Sequence, residues 1–224
     1  IDGHCLHKDD LAVLQGFIDN SLNSGFVMED CGDPNDPWCQ SPNLYMDQSE
    51  NWHDVIIDGV SCQFANDNGA VEPLELGLQD WVDGRLTSLM CGAYIYCQLS
   101  GEIPENISDL TDIEVLRLEV NYFSGAIPES VCELENINFS DDLAFNFSYN
   151  MLCPPYPECV EEGAVQYMDL TECGPEYDLG DINGDGLINV IDIVIAVDLI
   201  LNNNYDVIGD VNADEQLNVL DIVM

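Results

Sequence analysis

Side-chain oxygens recur in one pattern at two places, "GDINGDGLINVID" over 180–192 and "GDVNADEQLNVLD" over 209–221. Counting from the first aspartate, positions 1, 3, 5, 9 and 12 of the first stretch are Asp181, Asn183, Asp185, Asn189 and Asp192, and Leu187 can offer its carbonyl at position 7. The second stretch gives the same roles to Asp210, Asn212, Asp214, Asn218 and Asp221, with Gln216 at position 7. Calcium takes six to eight oxygen ligands at a flexible distance, and this spacing converges them on one point. Two sites are therefore expected. Gly186 stands where such a loop turns sharply, whereas Glu215 holds that position in the second loop. A side chain at positive φ is strained, so the second site is expected to be weaker.

These loops need elements to hold them. Each runs into an apolar segment beginning "NV-x-DIV", so a helix follows each loop, while turn-forming residues precede both. This loop-then-helix form, duplicated, resembles the dockerin family, and "GDINGDGLINVIDIVIAVDLIL" matches its first repeat nearly throughout. The resemblance implies two antiparallel helices, structural calcium and a helix surface that docks into a cohesin module. Asp rather than Glu at position 12 departs from the common calcium loop. Loop positions 10 and 11, often hydroxyl-bearing in cohesin-binding members, are Val190-Ile191 and Val219-Leu220 here, which makes these four candidate partner contacts. Val190, Ile193, Val194, Val197, Ile200 and Leu201 are too many for a two-helix module to bury alone. They pack between the helices or against the rest of the chain, or they form an apolar docking patch. The sequence ends at Met224, three residues after Asp221, whereas the first repeat continues for three more turns; the last helix is either cut short or completed by something else.

Upstream lies a second repeat. "LSGEIPENISDL" (99–110) is answered by "FSGAIPESVCEL" (123–134), and "IEVLRLEVNYF" (113–123) lies between them. Leu116 and Leu118 alternate inward on a short strand, and Asn121 can bond backbone groups where the chain turns. This resembles the plant-type leucine-rich repeat family, through its "SGxIP" signature. The resemblance implies a short right-handed solenoid of parallel strands, capped at both ends. "DDLAVLQGF" with "NW…GVSC" resembles the N-terminal cap, and "NMLCPPYPEC" (150–159) the closing segment, with a Cys153–Cys159 bridge. Further coils are read in "VEPLELGLQDW" (71–81) and "LAFNFSYNML" (143–152), with Asn150 and Cys97 in the Asn121 position. Glu72, Glu75, Glu114, Arg117, Glu119, Asn146 and Ser148 are expected to face outward. Among them Glu114, Arg117 and Glu119 are candidate partner contacts on the concave face, which could equally be a solvated surface.

Composition narrows the partners. There are 44 acidic residues against three basic ones, a formal charge of −41. Nucleic acid and anionic membranes would be repelled; cations or basic protein surfaces would be attracted. Acidity alone could also reflect a saline habitat. Ten cysteines without zinc-ligand spacing predict five disulfides in an oxidising compartment. The chain begins at Ile1, as a secreted protein freed of its leader would, or an incomplete chain. No Gly-rich phosphate loop, GxSxG, HExxH or Cys/His nucleophile context occurs, so catalysis is not expected.

The expected architecture is thus α+β. Residues 1–69 form a cap segment, with a helix over 9–20 and a short strand or strand pair over 51–62. Residues 70–173 hold leucine-rich repeats and the closing cap, and 174–224 form a small all-α calcium-binding module. The expected function is a secreted calcium-binding adhesion or interaction protein attached to a cohesin-like or surface protein. The alternative is a filament or matrix subunit that binds copies of itself, and more distantly an accessory part of a larger secreted enzyme.

Overall fold

The computed structural model describes residues 5–28, 31–33, 36–49, 53–171, 173, 179–184, 187–202, 204–212, 214 and 216–223. The chain divides into two compact units, 1–169 and 170–224.

In the first unit, helix α1 spans Lys8–Asn23. Asp9 and Asp10 in its first turn complement the helix dipole, and Val13, Leu14, Phe17 and Ile18 form the buried stripe. The expected strand pair is a hairpin, β1 (Val55–Ile57) and β2 (Val60–Cys62). β1 pairs in parallel with β3 (Leu78–Val82), and β3 turns back antiparallel into β4 (Arg85–Met90). Residues 71–81 are therefore not a preceding repeat. They comprise a 3-10 turn at Pro73–Glu75 and the first strand of this hairpin. The buried Trp81 explains why the pattern misled: its ring is held by an Nε1–H bond to Gln79 Oε1 (2.9 Å) within the hairpin.

Beyond the hairpin, parallel pairing takes over. β4, β6 (Val115–Arg117) and β8 (Phe145–Asn146) align with Leu89 beside Leu116, and Leu116 beside Phe145. A second parallel row joins β5 (Ser100–Gly101), β7 (Tyr122–Ala126) and β9 (Met151–Cys153). Ile113, Leu116, Leu118 and Phe123 are all fully buried, as the repeat pattern requires. Asparagines tie the turns between the two rows. Asn121 Oδ1 accepts Leu99 N–H (2.9 Å), and its Nδ2 donates to Cys91 O (2.6 Å) and Leu118 O (2.9 Å). Asn150 repeats the arrangement, accepting from Phe123 N–H and donating to Leu118 O and Phe147 O. Cys97 occupies the expected third position, but its sulfur is bonded to Cys91. There the backbone is secured from the cap, by Asn43 Nδ2 to Tyr96 O (2.8 Å) and Asn43 N–H to Cys97 O (2.9 Å).

Disulfides join Cys31–Cys39, Cys91–Cys97 and Cys132–Cys159. Cys153 and Cys173 are also disulfide-bonded, whereas Cys5 and Cys62 are free thiols. The expected Cys153–Cys159 bridge is thus replaced by Cys132–Cys159, which ties the 3-10 turn Glu129–Glu133 to the closing segment. Closing a 27-residue separation restricts the unfolded chain by about 3.5 kcal/mol in the loop-entropy picture.

The second unit contains α2 (Val190–Asn202) and α3 (Val219–Val223), each preceded by an oxygen-rich loop. No helix among the described residues is long and apolar enough to cross a membrane.

Candidate metal loops and partner-binding surfaces

The two loops fold alike. In the first, Asp192 Oδ1 accepts Asn183 N–H (3.2 Å) and Oδ2 accepts Asn189 N–H (2.8 Å). In the second, Asp221 Oδ1 accepts Asn212 N–H (3.3 Å) and Oδ2 accepts Asn218 N–H (2.8 Å). Position 12 of each loop therefore reaches back to positions 3 and 9. Asn189 and Asn218 also start their helices in the same way. The Oδ1 of each accepts the N–H two residues on, at Ile191 and Leu220, and the Nδ2 of each donates to the carbonyl of Leu187 or Gln216. At position 1 of the second loop, Asp210 Oδ1 accepts Asp214 N–H (3.1 Å) and Oδ2 accepts the Tyr205 hydroxyl (3.0 Å).

Asp181, Asp192, Asp210 and Asp221 are all buried, while the sequence has no Lys, Arg or His after Arg117. Burying carboxylates costs several kcal/mol unless hydrogen bonds or cations offset it. The backbone N–H of Asn189, ahead of other backbone donors, holds Asp192 below the usual carboxylate range. Gly184, at position 4, has φ +67° and takes a turn that a β-carbon would strain. Asp185 and Gly186 of the first loop, and Glu215 of the second, lie outside the described residues, as does Met224. Among the described residues, no group of three His, Cys, Asp or Glu is placed to hold an ion.

The partner contacts expected around these loops are at the surface: Val190, Ile191, Val219 and Leu220 are all exposed. So are Ile193, Val194, Val197 and Leu201, and only Asp192 and Ala196 of α2 are buried. Beside them Leu179, Ile182, Ile188, Ile193, Ala196 and Val211 line a cleft of about 360 Å³ within this unit.

In the first unit the concave-face expectation needs correction. Glu114 is exposed and Arg117 half-buried, but Glu119 is buried, its carboxylate paired with the Arg117 guanidinium. Gly92 permits this, because a β-carbon there would lie 2.6 Å from Glu119 Oε2. Ser148 is buried too, its hydroxyl accepting Gln166 N–H (3.1 Å). Glu75 is also buried, taken inward by the 3-10 turn that replaces the expected strand. Glu75 Oε2 accepts Glu72 N–H (2.8 Å) and Oε1 accepts from Asn66 (2.9 Å). Burial pushes its carboxyl up to about 7, with the Asp47 and Glu72 charges adding to the rise.

One surface escaped the sequence reading. Tyr96, Val120 and Tyr149 each directly precede a turn residue (Cys97, Asn121, Asn150), and with Tyr167 they share left-handed backbone at φ +55° to +61°. Such geometry costs non-glycine residues on the order of 1–2 kcal/mol each, and the β-branched Val120 least suits it. All four side chains are nevertheless exposed, between 45% and 52%. For three of them the signal was the residue before Cys97, Asn121 or Asn150, which sequence alone marks as ordinary loop.

No protein-family model matches the chain, and no curated protein matches it. Among solved structures it is similar to a chain in "Crystal structure of PEPR1-AtPEP1", at 22% sequence identity and a TM-score of 0.25. The likeness covers 34% of this chain and 13% of that one. At that TM-score it decides nothing about function.

Proposed function

We propose that the chain is a secreted calcium-binding adhesion or interaction protein. Residues 1–169 act as a short leucine-rich-repeat recognition domain, and residues 170–224 as a dockerin-like module that fixes the chain to a cohesin-like or surface-bound protein. The observation that carries the reading is the duplicated bonding around Asp192 and Asp221, set among buried carboxylates in a segment without a basic side chain. Hard oxygen donors of this kind suit calcium rather than zinc or copper. Asp181, Asn183, Asp185, Leu187, Asn189 and Asp192 would hold one ion, and Asp210, Asn212, Asp214, Gln216, Asn218 and Asp221 the second. The ions would neutralise the loops and set the direction of α2 and α3. For the first unit, support comes from the paired asparagine bonds of Asn121 and Asn150 and the parallel rows they join. The disulfides support the reading of an oxidising compartment, where such bonds persist.

Titration calorimetry of metal-stripped protein tests this. Saturable heat on adding Ca²⁺, with native mass spectrometry showing two retained ions, is the expected result; no heat and no retained ion would refute it. A second reading, self-assembly into a filament or matrix, draws on the exposed apolar residues of α2. Size-exclusion chromatography in calcium and in chelator separates the two: a monomer in calcium fits the module, and calcium-dependent ladders fit the polymer.

A further inference from the structure

The left-handed residues of the first unit make a strip of two groups, Val120, Tyr149 and Tyr167 on adjacent chain turns and Tyr96 against the cap. Val120 N–H bonds Ser148 O and Tyr149 N–H bonds Gln166 O, so the residues follow one another across adjacent chain turns. Tyr149 and Tyr167 stack with centroids 4.6 Å apart and planes at 20°. At the other end Trp38 meets Tyr96 edge-on at 6.2 Å and stacks on Tyr45 at 4.7 Å. One group is thus Tyr45, Trp38 and Tyr96, and the other Val120, Tyr149 and Tyr167. Asparagine or glycine would occupy the left-handed positions at lower cost. These side chains are therefore poor choices for stability alone, and their surface is what they offer.

We propose that this strip binds an extended, Lys- or Arg-bearing polypeptide segment. Tyrosine and tryptophan give rigid, amphipathic contact area at low entropic cost, which is why they concentrate in protein-binding surfaces. The electrostatics choose the partner. Exposed Asp36 and Asp169 stand two residues from Trp38 and Tyr167, and the whole chain carries −41. Lys and Arg stems pack along ring edges while their charged heads reach phenolic and carboxylate oxygens. A sugar polymer fits less well, because stacked neighbours cover faces of the rings that a pyranose would need. The proposal rests only on residues 1–169 acting as a recognition domain, and not on the metal loops.

The test selects a random dodecapeptide library on the immobilised full chain and measures the enriched peptides by fluorescence anisotropy, in calcium and in chelator. Enrichment of basic peptides is expected, with affinity falling at least tenfold in Tyr149→Asn/Tyr167→Asn and in Trp38→Ser. Leu143→Asn, an exposed apolar position off the strip, should bind as the wild type does. The asparagine variant should also melt no lower than wild type, because asparagine tolerates left-handed backbone. Binding that survives chelation supports the strip whatever happens at the loops. No enrichment, enrichment of acidic or uncharged peptides, or equal binding by the strip variants overturns the proposal, as does strip-dependent binding of a neutral oligosaccharide without peptide binding.

Discussion

Single residues here carry several buried bonds at once. Asn121 satisfies one N–H and two carbonyls between the rows of strands. Asn121→Ala should destabilise the first unit by about 3 kcal/mol or more, since each orphaned buried group costs about 1–3 kcal/mol; urea melts measure it, with exposed Asn136→Ala as reference. Glu75 behaves differently. Its carboxyl is raised from 4.5 to about 7 in the folded chain, so the folded state holds a proton that the unfolded state has released. Its contribution to stability is full below about pH 4.5 and is lost as pH rises through 7, by up to about 3 kcal/mol. Comparing wild type with Glu75→Gln at pH 5 and pH 8 isolates this group from the other carboxylates. The variant should lose less stability across that interval, and parallel curves would contradict the assignment.

Elements depend on such anchors for their placement. Helix α1 is fastened by Asp10, fully buried, which accepts Leu86 N–H (2.8 Å) and pairs with Arg85 Nη2 at 2.8 Å. Arg85 reaches on to Asp109 O and the Thr111 hydroxyl, joining cap, hairpin and the following turn. Arg85→Ala leaves the Asp10 carboxylate buried without its cation and should cost about 3–5 kcal/mol, read as a lower urea midpoint. The helix, the β1–β2 hairpin and the Leu116/Leu118 alternation were legible in the sequence because apolar periodicity and turn residues report burial locally. Glu119 and Glu75 were not. Strand alternation placed both outward, and what took them inward was the Arg117 guanidinium two residues away with the space left by the distant Gly92 in one case and a 3-10 turn in the other. The same holds for Cys132–Cys159: the resemblance of the closing segment implied Cys153 as the partner, whereas the fold brings Cys132 to Cys159. In the loops the oxygen spacing was a sequence expectation, and the structure adds the mutual bonding of positions 3, 9 and 12.

At the scale of the whole molecule, charge governs conditions. A chain at −41 with three basic residues repels itself, and monovalent salt relieves this by screening, with a Debye length of about 10 Å at 0.1 M. Screening acts on both units and does not saturate sharply. Ion binding in the proposed loops acts only on 170–224 and saturates with occupancy, stabilising by RT ln(1 + [L]/Kd), about 2.7 kcal/mol at a hundredfold excess over Kd. Calorimetric scans at constant ionic strength separate the two effects. Adding Ca²⁺ should raise the melting of residues 170–224 by several degrees and leave the disulfide-linked first unit nearly unmoved, while NaCl shifts both. Asp192→Ala should abolish more than half of the calcium effect, because the second loop keeps its own Asp221 but is the weaker site. An equal response of both units to calcium, or the same response to Mg²⁺ at matched ionic strength, would mean that the ions screen the surface rather than occupy the loops.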